Sequence, residues 1–107
     1  MINTSNYLGK NILTKYYKDM IEKFVTEFLG TLILVYVLLV TRNPVALGLI
    51  FTVIMLFTKC KNGYFNPAIT IALSFIGIIE KFDVLPYCLS QIIGGIIAVY
   101  FYNLTTK

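Results

Sequence analysis

The sequence predicts an all-α membrane protein with three transmembrane helices and one re-entrant half-helix. Three observations predict it. The 107 residues are 58% hydrophobic and only 13% charged, with a mean hydropathy of +0.80. An average soluble domain is about 25% charged, and a soluble fold of this size has too little polar side chain to cover so much apolar surface. Apolar runs recur along the chain, separated by short polar breaks. One of these runs, Pro67 to Ile79, is too short to cross a bilayer. As a helix it spans roughly 20 Å, against roughly 30 Å of hydrocarbon. Such a segment enters the membrane and stops, which is tolerated only where its bare amides face protein or a water-filled cavity.

Residues 1–22 form a polar N-terminal segment, with Leu13, Tyr16, Tyr17, Met20, Ile21 and Phe24 at helical spacing and Lys10, Lys15, Lys18 and Lys23 interspersed. It suits either a basic amphipathic helix in the headgroup plane or a partly ordered tail. Residues 23–107 form one membrane domain. Its first span is Phe24 to Thr41, bounded by Lys23 and Arg42 and interrupted by Glu27. Asn43-Pro44 makes a tight turn, with proline suited to the first helical position. The second span, Pro44 to Thr58, is short and is expected to extend into Lys59-Cys60-Lys61, where the lysines can snorkel. Asn62-Gly63 marks a turn, and Tyr64-Phe65 leads into the half-helix. Glu80-Lys81-Phe82-Asp83 is a polar break before the third span, Val84 to Tyr102, with Pro86 in its first turn.

The basic residues orient the chain. With residue 1 cytoplasmic, Lys10, Lys15, Lys18, Lys23, Lys59, Lys61 and Lys81 lie inside, while Arg42 and Lys107 lie outside. Seven against two obeys the positive-inside rule and puts the N-terminus in the cytoplasm and the C-terminus on the opposite side of a multi-pass protein. The lysines flank apolar runs and form no face of their own, so the net charge of +4 reads as juxtamembrane rather than nucleic-acid binding. No signal-peptide pattern opens the chain. The chain has no histidine, and its two cysteines, Cys60 and Cys88, give no metal spacing and no disulfide framework. They read as small packing residues. No metal, cofactor or enzymatic nucleophile–base pair is expected.

Asn66 and Pro67 suit a helix N-terminus: asparagine is a favoured cap, and proline at N1 forfeits an amide that lacks a partner anyway. The free amides and helix dipole put partial positive charge there. In mid-membrane that charge repels protons and cations, while the Asn66 amide can donate to a neutral molecule. The alternative is an ordinary helix cap in a loop. Glu27 is an acid inside a span, and such a residue is a functional candidate unless it simply pairs with Lys23 near the interface. Gln91 is a polar group inside the third span, where interhelical bonding is the plain alternative. Thr26 and Gly30, and Ser90, Gly94 and Ala98, recur at a spacing of four. They let helix backbones approach closely, between the spans or across a dimer face.

Gly63-Tyr64-Phe65-Asn66-Pro67-Ala68-Ile69-Thr70-Ile71-Ala72-Leu73 resembles the first pore loop of the aquaporin (major intrinsic protein) family. Glu27 to Val35 resembles that family's first-helix signature, and Pro86 to Gly95 its third helix. Together these matches cover roughly residues 20–102. The resemblance implies half of an aquaporin-like fold, because full members carry six spans and two half-helices as an inverted repeat. It implies that Gly63, Tyr64, Phe65, Asn66, Pro67 and Ala68 line a pore, that Glu27 pins the pore loop by accepting backbone hydrogen bonds, and that Gln91 supports the loop. It aligns Leu49 with a selectivity-filter position, with Phe51 close enough to compete. Ile69 follows the tripeptide, as in a first repeat, where a second repeat has arginine. Three departures stand out: the filter histidine of water-selective members has no counterpart, Tyr64 stands where histidine is usual, and the connection from the second helix to the loop is a few residues shorter than usual.

The expected function is therefore passive transport of water or a small uncharged solute by a channel subunit in a lipid bilayer. Copies inserted in one orientation put their half-helices on the same side, so an oligomer or a complementary second half-channel chain is the expected partner. The alternative is a non-conducting interaction subunit, or a truncated relic, that associates with full-length channels.

Overall fold

The computed structural model describes residues 4–58 and 63–106. Every regular element among them is helical: α1 Thr4–Thr41, α2 Pro44–Phe57, α3 Pro67–Phe75 and α4 Lys81–Thr105. The expected extension of the second span into Lys59, Cys60 and Lys61, and Asn62 of the following turn, lie outside the described residues.

Two helices, α1 and α4, are long and apolar enough to cross a membrane. They pack along each other, α2 leans on α1, and α3 leans on α4. Close approach of the long pair depends on Gly94, where a Cβ would sit 2.5 Å from the Phe28 carbonyl oxygen of α1. Near its far end α4 is tied again by Tyr36 Oη and Thr105 Oγ1, 3.2 Å apart. The interior mixes polar side chains with apolar ones such as Phe65, Ile79 and Ala98. The largest fully buried side chains are Gln91, Glu27 and Thr70, while Leu85, Leu89, Ile92 and Ile96 of α4 point outward. Apolar side chains outside and hydrogen-bonded polar ones inside are what a lipid solvent selects.

α1 continues without interruption through residues 22 and 23, so the N-terminal segment and the first span share one helix. Asn43 begins α2 by accepting from the amides of Val45 at 2.8 Å and Ala46 at 3.3 Å, with Pro44 in the first turn. Fourteen residues make α2 about 21 Å long, short of the hydrocarbon thickness.

Two element boundaries differ from the sequence reading. α3 ends at Phe75 rather than continuing to Ile79. Gly77 adopts φ +80°, its amide reaches the Ser74 carbonyl at 3.2 Å, and the Ile78 amide reaches that of Leu73 at 3.1 Å. This is a Schellman stop, and the apolar neighbours Ile76 and Ile78 hide it in the sequence. α4 begins at Lys81 rather than Val84, so Lys81, Phe82 and Asp83 form its first turn and Pro86 falls inside the helix. Proline there donates no amide to the preceding turn.

Candidate functional site

The site is the connection between α2 and α3 and the side chains beneath it. Phe65 is held at φ 52°, a left-handed conformation that costs a bulky residue free energy. Two features hold it. Glu27, from α1, accepts the Tyr64 amide at 3.0 Å through Oε1 and the Phe65 amide at 2.8 Å through Oε2. The Phe65 ring lies over Gly30, one turn along α1, where any Cβ would overlap its carbons. Phe51 of α2 meets the same ring edge-on, with centroids 6.2 Å apart. Gly63 is packed as tightly, since a Cβ there would stand 2.5 Å from Met55 Sδ.

Gln91 of α4 completes the support. Its Nε2 donates to Glu27 Oε2 at 3.0 Å and to Thr70 Oγ1 at 2.8 Å. Thr70 Oγ1 in turn donates a hydrogen bond to the Asn66 carbonyl at 3.0 Å. All three side chains are 99–100% removed from solvent. A carboxylate accepting two backbone amides and a carboxamide is a satisfied buried anion, which is the condition for tolerating one in this interior. Gln91 spends both protons in this network, and its Oε1 has no partner among the described residues.

Asn66 caps α3 through its Oδ1, which accepts the Ala68 amide at 2.8 Å, with Pro67 at the first helical position. Asn66 and Ala68 are exposed. Asn66 faces a groove of about 440 Å³, walled by Leu34, Val35, Leu47, Phe51 and Ile69 together with Tyr64 and Phe65. Leu49 is 64% exposed and stands outside that groove, whereas Gly48 and Phe51 line it. The structure thus brings Glu27, Gln91 and residues 63–68 to one place and leaves Leu49 apart.

Of the small residues, Gly30 receives the Phe65 ring, Gly94 meets the α1 backbone, and Ala98 is fully buried. Ser90 turns its hydroxyl back to the Pro86 carbonyl at 2.8 Å. Sequence reasoning missed Thr70 and Tyr87. Thr70 carried a signal: a hydroxyl one turn after the Asn66 cap on a largely apolar helix. Tyr87 carried none. Buried at 3% exposure, it stands edge-on to both Tyr64, at 5.6 Å, and Phe24, at 5.3 Å.

Comparison with known proteins bears on this arrangement. The major intrinsic protein family model matches residues 16–107. The chain is 36% identical over 95 residues to an aquaporin Z of Photorhabdus laumondii, an alignment covering 74% of this chain and 41% of the relative. It is 34% identical over 87 residues to a glycerol uptake facilitator protein-like 6 of Lactiplantibacillus plantarum, covering 72% and 40%. It is 32% identical over 97 residues to aquaporin-8 of Notomys alexis, covering 77% and 36%. The chain thus spans about two fifths of the length of these curated relatives. No solved structure matches it. Aquaporins of the family are membrane channels, not enzymes. By its family match and its relatives, this chain belongs to the major intrinsic protein family.

Proposed function

We propose that this chain forms half of a channel that passes water or a small uncharged solute down its gradient. The observation that carries the proposal is the pinned turn before α3. Glu27 and Gln91 consume the polar groups beneath the loop, leaving the capped tip of α3 and Asn66 exposed beside an apolar groove. In this reading α1, α2 and α4 cross the bilayer and α3 is the re-entrant half-helix. Nine residues give α3 a length of about 14 Å, half of the hydrocarbon core. Its N-terminal dipole then lies near mid-membrane, where it disfavours protons and cations. Solute passes Asn66 in single file, with carbonyls of residues 63–65 as acceptors.

The N-terminus is cytoplasmic in this topology, supported by the seven-to-two distribution of basic residues. A pore needs a second half-helix from the opposite leaflet. That half comes from a further repeat of inverted orientation, in the same or another polypeptide.

Proteoliposomes carrying the protein, alone and with a candidate second repeat, should shrink faster than empty ones under osmotic challenge, and Asn66→Asp should slow them. Permeability equal to empty liposomes in every combination would leave an interaction subunit as the better account. For topology, Cys60 should react with a membrane-impermeant thiol reagent from the cytoplasmic side alone.

A further inference from the structure

We infer that Tyr64 is a size-selecting residue of this half-channel, a fixed aromatic partition between an acid-lined chamber and the apolar groove at Asn66. The inference rests on the channel proposed above and adds the residue that limits what reaches Asn66.

Two cavities meet at this side chain. One is the groove of about 440 Å³ that contains Asn66 and Ile69. The other, about 650 Å³, lies between the α1 segment from Tyr16 to Lys23 and the connection from Ile78 to Asp83. Asp19, Glu22, Glu80 and Asp83 line it against one cation, Lys23, so it favours water and polar solutes over apolar ones. Tyr64 lines both cavities. Among the described residues it is the one that the two linings share, so the direct route from the chamber to the tip of α3 runs past it.

The ring is not free to swing. Its backbone amide is held by Glu27 at 3.0 Å. Its ring meets that of Tyr87 at an interplanar angle of 86°, and Tyr87 is in turn wedged by Phe24 at 77°. Edge-to-face contacts of this kind favour one ring orientation, by about 0.5–1.5 kcal/mol each. A phenol in a fixed pose offers a constant opening and one hydroxyl. That is the behaviour of a filter, and it gives a chain whose Leu49 stands outside the groove a place to discriminate by size.

Two measurements test it. In proteoliposomes that conduct, Tyr64→Ala should raise glycerol permeability relative to water several-fold, while Tyr64→Phe, which keeps the ring, should retain the discrimination. An unchanged glycerol-to-water ratio in Tyr64→Ala overturns the inference. The second measurement needs no conduction. With Cys60 and Cys88 replaced by serine, Ile69→Cys is offered a small methanethiosulfonate and a bulky maleimide from the Asp83 side of membrane vesicles. Adding Tyr64→Ala should accelerate the bulky reagent selectively. Equal acceleration of both reagents, or of neither, overturns the partition. A selective acceleration in a protein that conducts nothing refutes the channel alone and leaves the partition standing.

Discussion

The carboxylate of Glu27 receives the Phe65 amide at 2.8 Å across 38 positions of chain, at a residue whose φ of 52° its own side chain disfavours. The left-handed conformation costs about 1–2 kcal/mol. A hydrogen bond to a charged group contributes about 1.5–3 kcal/mol, enough to offset it. The turn that presents Asn66 is therefore held by α1 from a distance and not by the local preference of residues 63–66. An isolated peptide of that loop has no reason to adopt it.

Glu27→Gln should consequently loosen the loop while leaving the helices. A carboxamide has one acceptor oxygen for the two amides of Tyr64 and Phe65, and its NH₂ confronts the donor Gln91 Nε2. Stranding one buried amide costs about 1–3 kcal/mol. Thermal unfolding in detergent should fall for Glu27→Gln and further for Glu27→Ala, with helical content retained below the transition. Melting curves identical to the parent's would show that the loop stands without the carboxylate.

Adjacent glycines on α4 make a controlled pair. A Cβ at Gly94 meets the Phe28 carbonyl oxygen at 2.5 Å, whereas one at Gly95 meets Val35 Cγ2 at an ordinary 3.7 Å. Forcing α1 and α4 apart is overpacking of a tight contact and costs about 1–3 kcal/mol. Gly94→Ala should lower the melting temperature, and Gly95→Ala should leave it unchanged or raise it through better helix propensity. Equal effects at the two positions would mean that the helices do not approach as described.

Gly30 and Gly94 also show which parts of the fold the sequence exposes and which it conceals. Helix existence is legible wherever apolar runs are long, and Asn43-Pro44 and Asn66-Pro67 mark two helix starts because caps act locally. Glu27 and Gln91 stand out as polar residues in apolar surroundings. Their mutual contact, and the Thr70 link between them and Asn66, join positions 21 to 64 residues apart and leave no local trace. Gly30 reads as a helix-packing position, yet its immediate neighbour is an aromatic ring from the loop. The end of α3 was hidden for a different reason. Hydropathy registers Ile76-Gly77-Ile78 as one more apolar stretch, while the backbone responds to the single residue that can reach φ +80°.

That stop can be tested directly. Space around Gly77 is open, with nothing within 4 Å of an added Cβ, so Gly77→Ala has only a backbone cost. It should destabilise the protein by about 1–2 kcal/mol. Gly48→Ala, equally uncrowded but in the middle of α2, should be neutral or stabilising. Alanine tolerated equally at both positions would indicate that α3 runs past Phe75 in the membrane.

The two candidates for the filter position separate by the same kind of comparison. Phe51 lines the groove beside Asn66 and meets Phe65 edge-on at 86°, while Leu49 is 64% exposed on the other side of α2. Phe51→Ala removes an aromatic pair worth about 1 kcal/mol and widens the groove assigned to solute in the proposed channel. Melting temperature should fall and the permeability ratio of larger to smaller neutral solutes should rise. Leu49→Ala trims an apolar side chain that is exposed away from the groove, so neither quantity should move. A selectivity change in Leu49→Ala with none in Phe51→Ala would require α2 to be rotated by roughly half a turn about its axis, given 3.6 residues per turn, and would carry the pore to its opposite face.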